Sequence, residues 1–264
     1  MRAAAMVAAM LALGACQGPL TTGPLAPTPP GAVRVMTYNV NYGIAGDPST
    51  IQAIIDGTAD LVFLQETNPG WEVALRGALG ATYPHQAYQH CCLAGGLAVL
   101  SRWPVEDLDY VEQVGEGWFP AWRGRVATPL GAIQVLNVHL HPPLDNHGSV
   151  VRGYFASRPI RRREISELAE LLEPGQPTLV VGDFNESAYG SALRYLEARG
   201  LRSAVPQFVD GATTWRWRTR LGMLHQQLDH VVYDAHLEPL DAVVLAGGRS
   251  DHRPVVVTFA LAPQ

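Results

Sequence analysis

The sequence predicts an α/β protein in which two β-sheets pack against each other and helices cover the outside. Short apolar strands and amphipathic helices alternate from Val33 onward, and there is no internal repeat. The strand segments outnumber the helical ones, which favours two packed sheets over one doubly wound parallel sheet. With 264 residues, 47% of them apolar and 16% charged, the chain is long enough to bury a large core in one domain.

The first elements after Val33 are a strand and a capped helix. VRVMTYNV has the β-branched and apolar content of a strand. Asp47 and Pro48 supply an N-cap and a first-turn residue for a helix whose isoleucines recur at i, i+3 and i+4. LVFLQE, residues 61–66, predicts a buried strand that ends in a carboxylate, and residues 71–79 predict a second helix.

Most of the remaining periodic segments predict strands: GLAVLS, IQVLNVHL, TLVVGDFN, LDHVVY, DAVVL and PVVVTF. Residues 161–172 are the exception, because their apolar side chains form one helical stripe. Residues 141–159 form the longest stretch without periodicity. A loop of this length is more typical of a lid or binding loop than of a plain connection, with disorder as the alternative.

The first sixteen residues have the pattern of a secretory signal peptide. Arg2 precedes an apolar run that is too short to span a bilayer, and small residues stand directly before Cys16. LGAC resembles the bacterial lipobox, which implies that Cys16 is lipidated and becomes the mature N-terminus. The alternative is an ordinary signal peptide that is cleaved elsewhere, with loss of Cys16.

Residues 17–31 are rich in Pro, Gly and Thr, and they predict a flexible or partly extended tether before a domain over residues 32–264. By analogy with lipoprotein sorting, Gln17 favours the outer membrane, facing the periplasm or the cell surface. We therefore expect a monomer in the cell envelope, attached to a membrane through its lipid anchor.

The charge and the cysteines exclude some classes of site. A formal net charge of −5 argues against charge-driven wrapping of nucleic acid, although a local basic groove is compatible with it. Cys91 and Cys92 are adjacent, so a disulfide between them would be strained, and we expect two free thiols in a partly buried turn. No further cysteine lies near enough to complete a thiolate metal site.

Polar side chains stand at the ends of six predicted strands. They are Asn39, Glu66, His139, Asp183 with Asn185, Asp229, and Asp251 with His252. One such residue is explained by turn formation, but six strand ends with the same feature indicate a shared site. The period of two places Asp183 and Asn185 on one face. An oxygen-rich set without thiolates suits a hard cation such as Mg²⁺ or Mn²⁺.

The contiguous Ser250, Asp251 and His252 have the composition of a hydrolase triad. Neighbouring side chains of an extended segment diverge, however, and the chain has no G-x-S-x-G elbow, so these three residues do not form a relay. We expect Ser250 to support its loop by hydrogen bonding.

Seven motifs occur in a family order: TYNV, FLQET, GLAVLSRWPV, NVHL, GDFNES, LDHVV and SDHRPV. By these motifs the chain resembles the endonuclease/exonuclease/phosphatase superfamily, whose members include deoxyribonucleases, abasic-site nucleases, inositol polyphosphate phosphatases and neutral sphingomyelinases. The resemblance implies a four-layer α/β/β/α sandwich, deoxyribonuclease-I-like, over residues 32–264. It also implies hydrolysis of a phosphoester by in-line attack of water.

The same resemblance assigns the polar residues to roles. It implies that Asn39, Glu66 and Asp251 hold the divalent ion, Mg²⁺ or Mn²⁺. The residues implied to be catalytic are His139, Asp183, Asn185, Asp229 and His252. Among them, Asp183 and Asn185 position the water or a second ion and the phosphate, Asp229 orients His252, and His139 contacts the phosphate or assists the leaving oxygen.

Arg123 corresponds to the family's phosphate-neutralising arginine, with Arg125 as the second candidate. Trp215 and Trp217 alternate with arginines, which suits stacking on bases beside a phosphate backbone, or equally an edge strand with its indoles in the core. We expect a nuclease-like phosphodiesterase. The alternatives are a phospholipid or sphingomyelin phosphodiesterase, a small-molecule phosphatase, and a lipid-anchored binding module without catalytic activity.

Overall fold

The computed structural model describes residues 18–143, 153, 156–219 and 222–263. Its strands are β1 (Val33–Asn39), β2 (Leu61–Gln65), β3 (His85–Gln89), β4 (Leu97–Ser101), β5 (Val105–Val111), β6 (Ala121–Thr128), β7 (Gly131–His139), β8 (Thr178–Asp183), β9 (Arg202–Ser203), β10 (Trp215–Thr219), β11 (Gly222–Gln226), β12 (Asp229–Tyr233), β13 (Leu237–Val244) and β14 (Val255–Leu261). Its α-helices are α1 (Pro48–Asp56), α2 (Pro69–Leu79), α3 (Arg158–Ala169) and α4 (Ser191–Glu197), and short 3₁₀ turns cover Tyr42–Ile44, Leu93–Gly95 and Val205–Gln207.

Two six-stranded sheets form the centre of the molecule, as predicted. Their strand orders are β13-β14-β1-β2-β4-β3 and β5-β6-β7-β8-β12-β9, and β10 pairs with β11 in a two-stranded ribbon that also bridges to His252 through Trp215. Each large sheet contains one parallel pair, β1 with β2 and β7 with β8, among antiparallel neighbours. The C-terminal ends of these four parallel strands therefore carry the polar residues that follow them.

The alternation of side chains along the strands creates three apolar layers. In β1, Val33 and Val35 face the other sheet, whereas Met36 and Tyr38 face α1 and α2. Leu136 of β7 and its neighbours pack in the same way against α3 and α4. Two sheets with helices on both outer faces make the four-layer α/β/β/α sandwich that the resemblance implied.

The helices begin at the signals that the sequence contains. Asp47 accepts a hydrogen bond from the Thr50 amide (2.9 Å) and caps α1 as predicted. Helix α3 runs over Arg158–Ala169 and not over 161–172, because Pro159 occupies its first turn and the chain leaves the helix in tight turns after Ala169.

Residues 18–31 do not extend away from the domain as a free tether. The Gly18 amide donates to the Gly211 carbonyl (2.7 Å) and the Thr21 amide to the Val244 carbonyl (2.9 Å). Leu20 and Leu25 pack against the two cores on either face of the β1 sheet. We call residues 18–31 the strap. Residues 1–17, including Cys16, lie outside the described residues, and within the described part no helix is long and apolar enough to cross a membrane.

The adjacent cysteines differ from the sequence expectation. Cys91 and Cys92 are joined by a disulfide across Cα atoms 3.8 Å apart, so they are not free thiols. In the turn that follows, Leu93 adopts a positive φ of 49°. Of the predicted loop over 141–159, residues 144–152, 154 and 155 lie outside the described residues.

Candidate active site

The polar residues at the strand ends meet at one end of the sandwich. Asn39 ends β1, His139 ends β7, and Asp183 ends β8. Asp229 opens β12 and pairs directly with Asp183 in the antiparallel register. All four are buried. The structure therefore brings together, from both sheets, residues separated by as many as 190 positions.

His252 lies between two carboxylates. Its Nδ1 donates to Asp229 Oδ2 (2.9 Å), and its Nε2 lies 3.5 Å from Asp183 Oδ2. His139 approaches the same Asp183 oxygen, with its Nε2 at 3.5 Å. Asp183 thus stands between two imidazoles, and only His252 has a second carboxylate behind it.

The two histidines have opposite electrostatic environments. Burial disfavours the charged form of His252, but Asp229 and Asp183 outweigh it and raise the pKa of His252 to about 10. Burial lowers the pKa of His139, and Asp183 only partly compensates. The surrounding residues therefore favour the charged form of His252 and the neutral form of His139.

Glu66 and Asp251 are fixed by hydrogen bonds from the segment that follows β1. Asn39 Nδ2 donates to Glu66 Oε1 (2.9 Å), and the Tyr42 amide donates to Glu66 Oε2 (3.2 Å). Asn41 Nδ2 donates to Asp251 Oδ1 (3.0 Å). A single short segment therefore orients both carboxylates that sequence analysis assigned to the metal.

The donor set fits a hard divalent cation. Burial raises the pKa of Glu66, and the nearby Asp251 raises it further, so a cation beside them would relieve an unfavourable concentration of negative charge. Asn39 Nδ2 donates to Glu66 and to Asp183, while its Oδ1 accepts from the Asn41 amide (3.1 Å). These contacts orient the two carboxylates.

A second group of possible ligand atoms is formed by Asp183, Asp229 and His252, which lie within 4.8 Å of one another. Within this group His252 already pairs with both carboxylates, Asp183 and Asp229. The hydrogen-bond donors to Glu66 and Asp251, in contrast, are neutral. The two groups therefore differ in that only the Asp183, Asp229 and His252 group is paired internally.

Three residues of the site have positive φ angles, at which side chains other than glycine are strained. Asn41 has φ 63°, Glu66 has φ 60° and Asn185 has φ 52°. Asn185 is held there because its amide donates to Asp183 Oδ1 (2.9 Å) and its Nδ2 to the Leu140 carbonyl (2.9 Å). Such strain is typical of functional sites, where side chains are held in place by their surroundings.

Comparisons with known proteins agree with this geometry. The Endonuclease/Exonuclease/phosphatase family model matches residues 36–252, which is most of the chain. The chain belongs to this family. The comparison with curated protein sequences found no match.

Solved structures of similar fold confirm the architecture. An endonuclease/exonuclease/phosphatase from Beutenbergia cavernae is 21% identical with a TM-score of 0.69, over 88% of this chain and 72% of that one. TDP2 from C. elegans is 16% identical with a TM-score of 0.66, over 88% and 76%. An AP endonuclease from Archaeoglobus fulgidus is 17% identical with a TM-score of 0.63, over 85% and 98%. The family identifies the protein as a phosphoester hydrolase.

Arg123 is not at the site, contrary to the expectation from the family resemblance. It lies opposite Leu136, on the strand face that packs against the helices. Its guanidinium donates to Asp109 Oδ2 (2.5 Å) and to the Leu171 carbonyl (2.9 Å). Arg125, the second candidate, pairs with Glu173 (2.6 Å). Neither arginine is available to the phosphoesterase site in this arrangement.

Trp215 and Trp217 lie at the site, but in different roles. Trp215 Nε1 donates to Asp251 Oδ2 (3.1 Å), so this indole helps to orient a carboxylate. Trp217 stacks on Trp215 with ring centroids 6.2 Å apart and planes 7° apart, and it is half-exposed. The indoles are therefore not core residues of an edge strand, which was the alternative.

Several site residues of this phosphoesterase were not predicted. Phe119 stacks on His139 with ring centroids 4.0 Å apart, and the Ala94 carbonyl accepts from His139 Nδ1 (3.2 Å). Thr214 Oγ1 accepts from the amide of Asp229 (3.0 Å). These contacts cross between distant segments, and no local pattern indicates them. Asn41 is different, because its spacing of two from Asn39 could have identified it.

Ser250 has the supporting role that the sequence predicted. Its Oγ donates to the Asn39 carbonyl (2.7 Å) and accepts from the His252 amide (3.1 Å). A serine used in this way links the loop before β14 to the end of β1, and its hydroxyl is not directed at a histidine ring as a nucleophile requires.

Proposed function

We propose that this protein is a divalent-metal-dependent phosphodiesterase, most simply of the nuclease type. The observation that carries the proposal is the position of His252 between Asp229 and Asp183, beside the Glu66 and Asp251 carboxylates. One end of the sandwich thereby offers a proton-transfer group and a cation site to the same phosphate.

Glu66 and Asp251 would hold the ion, Mg²⁺ or Mn²⁺, with Asn39 and Asn41 fixing their orientation. When bound, a divalent ion neutralises phosphate charge and makes a water molecule more acidic. The protein side of the site contributes fixed carboxylates whose hydrogen bonds leave little freedom to be lost on binding.

The remaining residues take roles set by their contacts. Asp229 keeps the His252 ring oriented with Nε2 towards the reacting group, and Asp183 accepts a hydrogen bond or a proton there. His139, held at Nδ1 by the Ala94 carbonyl, presents Nε2 to the same place. Asn185, fixed beside Asp183, completes the wall of the phosphate pocket.

The experiment uses the purified full chain with Mg²⁺, with Mn²⁺ or with EDTA. The substrates are plasmid DNA, single-stranded DNA, sphingomyelin vesicles and a soluble aromatic phosphodiester. We expect hydrolysis of the soluble diester and of DNA that requires the metal. Glu66→Ala and His252→Ala should each lower kcat by about 100-fold to 10,000-fold, the usual contribution of such groups.

Glu72→Ala and His236→Ala serve as matched controls, because both side chains make ion pairs at the surface, with Arg76 and Asp234. They should leave kcat unchanged. Activity that persists in EDTA, or in both site variants, would contradict the proposal. Hydrolysis of lipid but not of DNA would retain the phosphodiesterase and change its substrate.

We also propose that Cys16 carries a lipid that anchors the enzyme in the cell envelope, on the basis of the LGAC sequence. Cys16→Ser should move the protein from the membrane fraction to the soluble fraction of cells that express it. A membrane fraction that is unchanged in this variant would contradict lipidation.

A further inference from the structure

Large apolar side chains surround the opening of the candidate active site. Four of them are solvent-exposed and come from four separate segments: Tyr42 (42% exposed), Leu93 (78%), Trp118 (40%) and Trp217 (52%). We call these four residues the mouth rim. Single exposed apolar residues are normal on protein surfaces, but a group around one opening marks an interaction surface.

Backbone contacts of their segments with site residues place the first two members there. The Tyr42 amide donates to Glu66 Oε2 (3.2 Å), so the Tyr42 backbone adjoins the proposed metal ligand. Leu93 directly precedes Ala94, whose carbonyl accepts from His139 Nδ1 (3.2 Å).

The rings of the other two members pack against aromatic residues next to the site. The Trp118 ring packs on His141, two residues beyond the end of β7, with centroids 4.6 Å apart. Trp217 stacks on Trp215, which donates to Asp251. The mouth rim therefore extends from the metal side of the opening to the histidine side.

The strap reaches the domain at this same end. Gly18 is buried and bonds to Gly211, three residues before the threonine that supports Asp229. Thr21 pairs with Leu245, and the Leu245 amide donates to the Pro254 carbonyl (3.0 Å), two residues after the site histidine. From there the strap runs away from the opening towards the start of β1.

The position of Gly18 limits where a lipid on Cys16 could be. Cys16 precedes Gly18 by two residues along the chain, and two residues span at most about 7 Å. A lipid there would hold the opening close to the membrane surface, whereas a free fifteen-residue tether would leave the domain free to rotate.

We propose that the mouth rim rests on a lipid bilayer, with the active-site opening towards the phosphate groups of that membrane. Trp and Tyr favour the boundary between water and lipid, where an apolar ring and a polar group are both accommodated. Leu93, the most exposed member, offers no ring on which a nucleobase could stack. The proposal rests on the proposed phosphodiesterase and adds a docking surface that holds its active-site opening at a membrane.

The test measures bilayer binding without the anchor and without catalysis. Full-length Cys16→Ser protein is sedimented in EDTA with vesicles of equimolar phosphatidylcholine and phosphatidylglycerol. We expect Leu93→Ser combined with Trp217→Ser to lower the partition coefficient about tenfold, because this variant has two fewer apolar side chains to transfer from water into the bilayer. Val73→Ser combined with Leu261→Ser removes two exposed apolar residues from other elements, α2 and β14, and should bind like the parent.

Equal vesicle binding by the rim variant and its parent would overturn the proposal, as would an equal loss in the control variant. Displacement of the vesicles by a single-stranded oligonucleotide would also overturn it, and would assign the rim to nucleobases. Thermal melting checks the fold, and if the double variant unfolds, Leu93→Ser alone carries the test. Hydrolysis of the soluble diester with Mg²⁺ is measured separately, so a failure of the proposed function is distinguishable from a failure of bilayer docking.

Discussion

At the scale of single residues, the site depends on which face of a strand each side chain takes. His252 and Asp229 could be predicted from the sequence, because both stand at strand ends and the order of their motifs along the chain is enough to recognise them. The sequence placed Arg123 wrongly, since the alignment of Arg123 with Leu136 directs it towards the helices, and that register is set by pairing between β6 and β7. Local periodicity cannot supply a register between two strands.

The contact between Asp229 and His252 gives a prediction for catalysis. Asp229→Asn keeps the size of the side chain but removes the charge that orients the ring and stabilises its protonated form. We expect kcat on the soluble diester to fall by about 100-fold or more, with KM little changed. Asp234→Asn is the matched control, because Asp234 makes the same kind of pair with His236 (2.8 Å) at the surface. Equal kinetics for the two variants would contradict the assigned role.

A buried carboxyl behind the site gives a prediction for stability. Burial raises the pKa of Glu164 to about 8, although the hydrogen bond from the His141 amide and the charge of Arg161 both lower it. The folded state therefore binds the proton more tightly than the unfolded state. Its stability is complete below the unfolded pKa of 4.5 and falls as the pH rises towards about 8.

Glu164→Gln removes that pH dependence, because a neutral amide still accepts from the His141 amide. We expect the variant to match the parent near pH 5 and to be more stable near pH 9, by on the order of 2 kcal/mol. Urea unfolding at both pH values measures this difference. Glu167→Gln is the control, since Glu167 lies on the same helix and pairs with Arg163 in solvent. A Gln variant that loses stability with pH as the parent does would refute the assignment.

At the scale of elements, the sequence was most informative where one local signal decides the outcome. The cap at Asp47 and the buried strand at residues 61–65 form as predicted, because each needs only its own residues. Helix α4 was missed. It has seven residues, and Glu186 in the preceding loop accepts hydrogen bonds from the amides of its first turn. The helix therefore depends on a contact with a residue outside it, which the pattern of its own residues does not indicate. The disulfide between Cys91 and Cys92 was not predicted, because the Cα atoms of adjacent residues are closer together than most disulfides prefer.

That disulfide leads to a prediction about the turn over Leu93–Gly95. The turn places the Ala94 carbonyl on His139 Nδ1, and the bridge restrains it from the N-terminal side. We expect Cys91→Ser combined with Cys92→Ser to lower kcat several-fold and to broaden the pH profile of kcat. Reduction of the parent by a dithiol should have the same effect, while the double variant should not respond to it. A double variant with an unchanged pH profile would count against this positioning role.

At the scale of the whole molecule, the sandwich brings two separately folded sheet ends into one site. The sheets are also joined behind the site by a buried amide pair, in which Gln65 Nε2 donates to Asn137 Oδ1 (2.7 Å). Composition and periodicity predicted the two sheets and their helices, but they gave no sign that the strap packs on them. A Pro-rich and Gly-rich stretch has no period of its own, so its docking depends on partners such as Asp60, which accepts from Thr28 (3.0 Å).

The strap therefore affects the stability of the domain as well as its orientation. Removal of residues 1–17 leaves every described contact of the strap in place, so this shorter truncation is the reference protein. Removal of residues 1–31 exposes the apolar surfaces under Leu20 and Leu25 and leaves Asp60 without Thr28. The entropy regained by the freed chain offsets part of this loss, so we expect the longer truncation to cost about 2 kcal/mol. Urea unfolding of the two truncated proteins measures the difference directly, and equal midpoints would mean that the strap behaves as the free tether expected from composition.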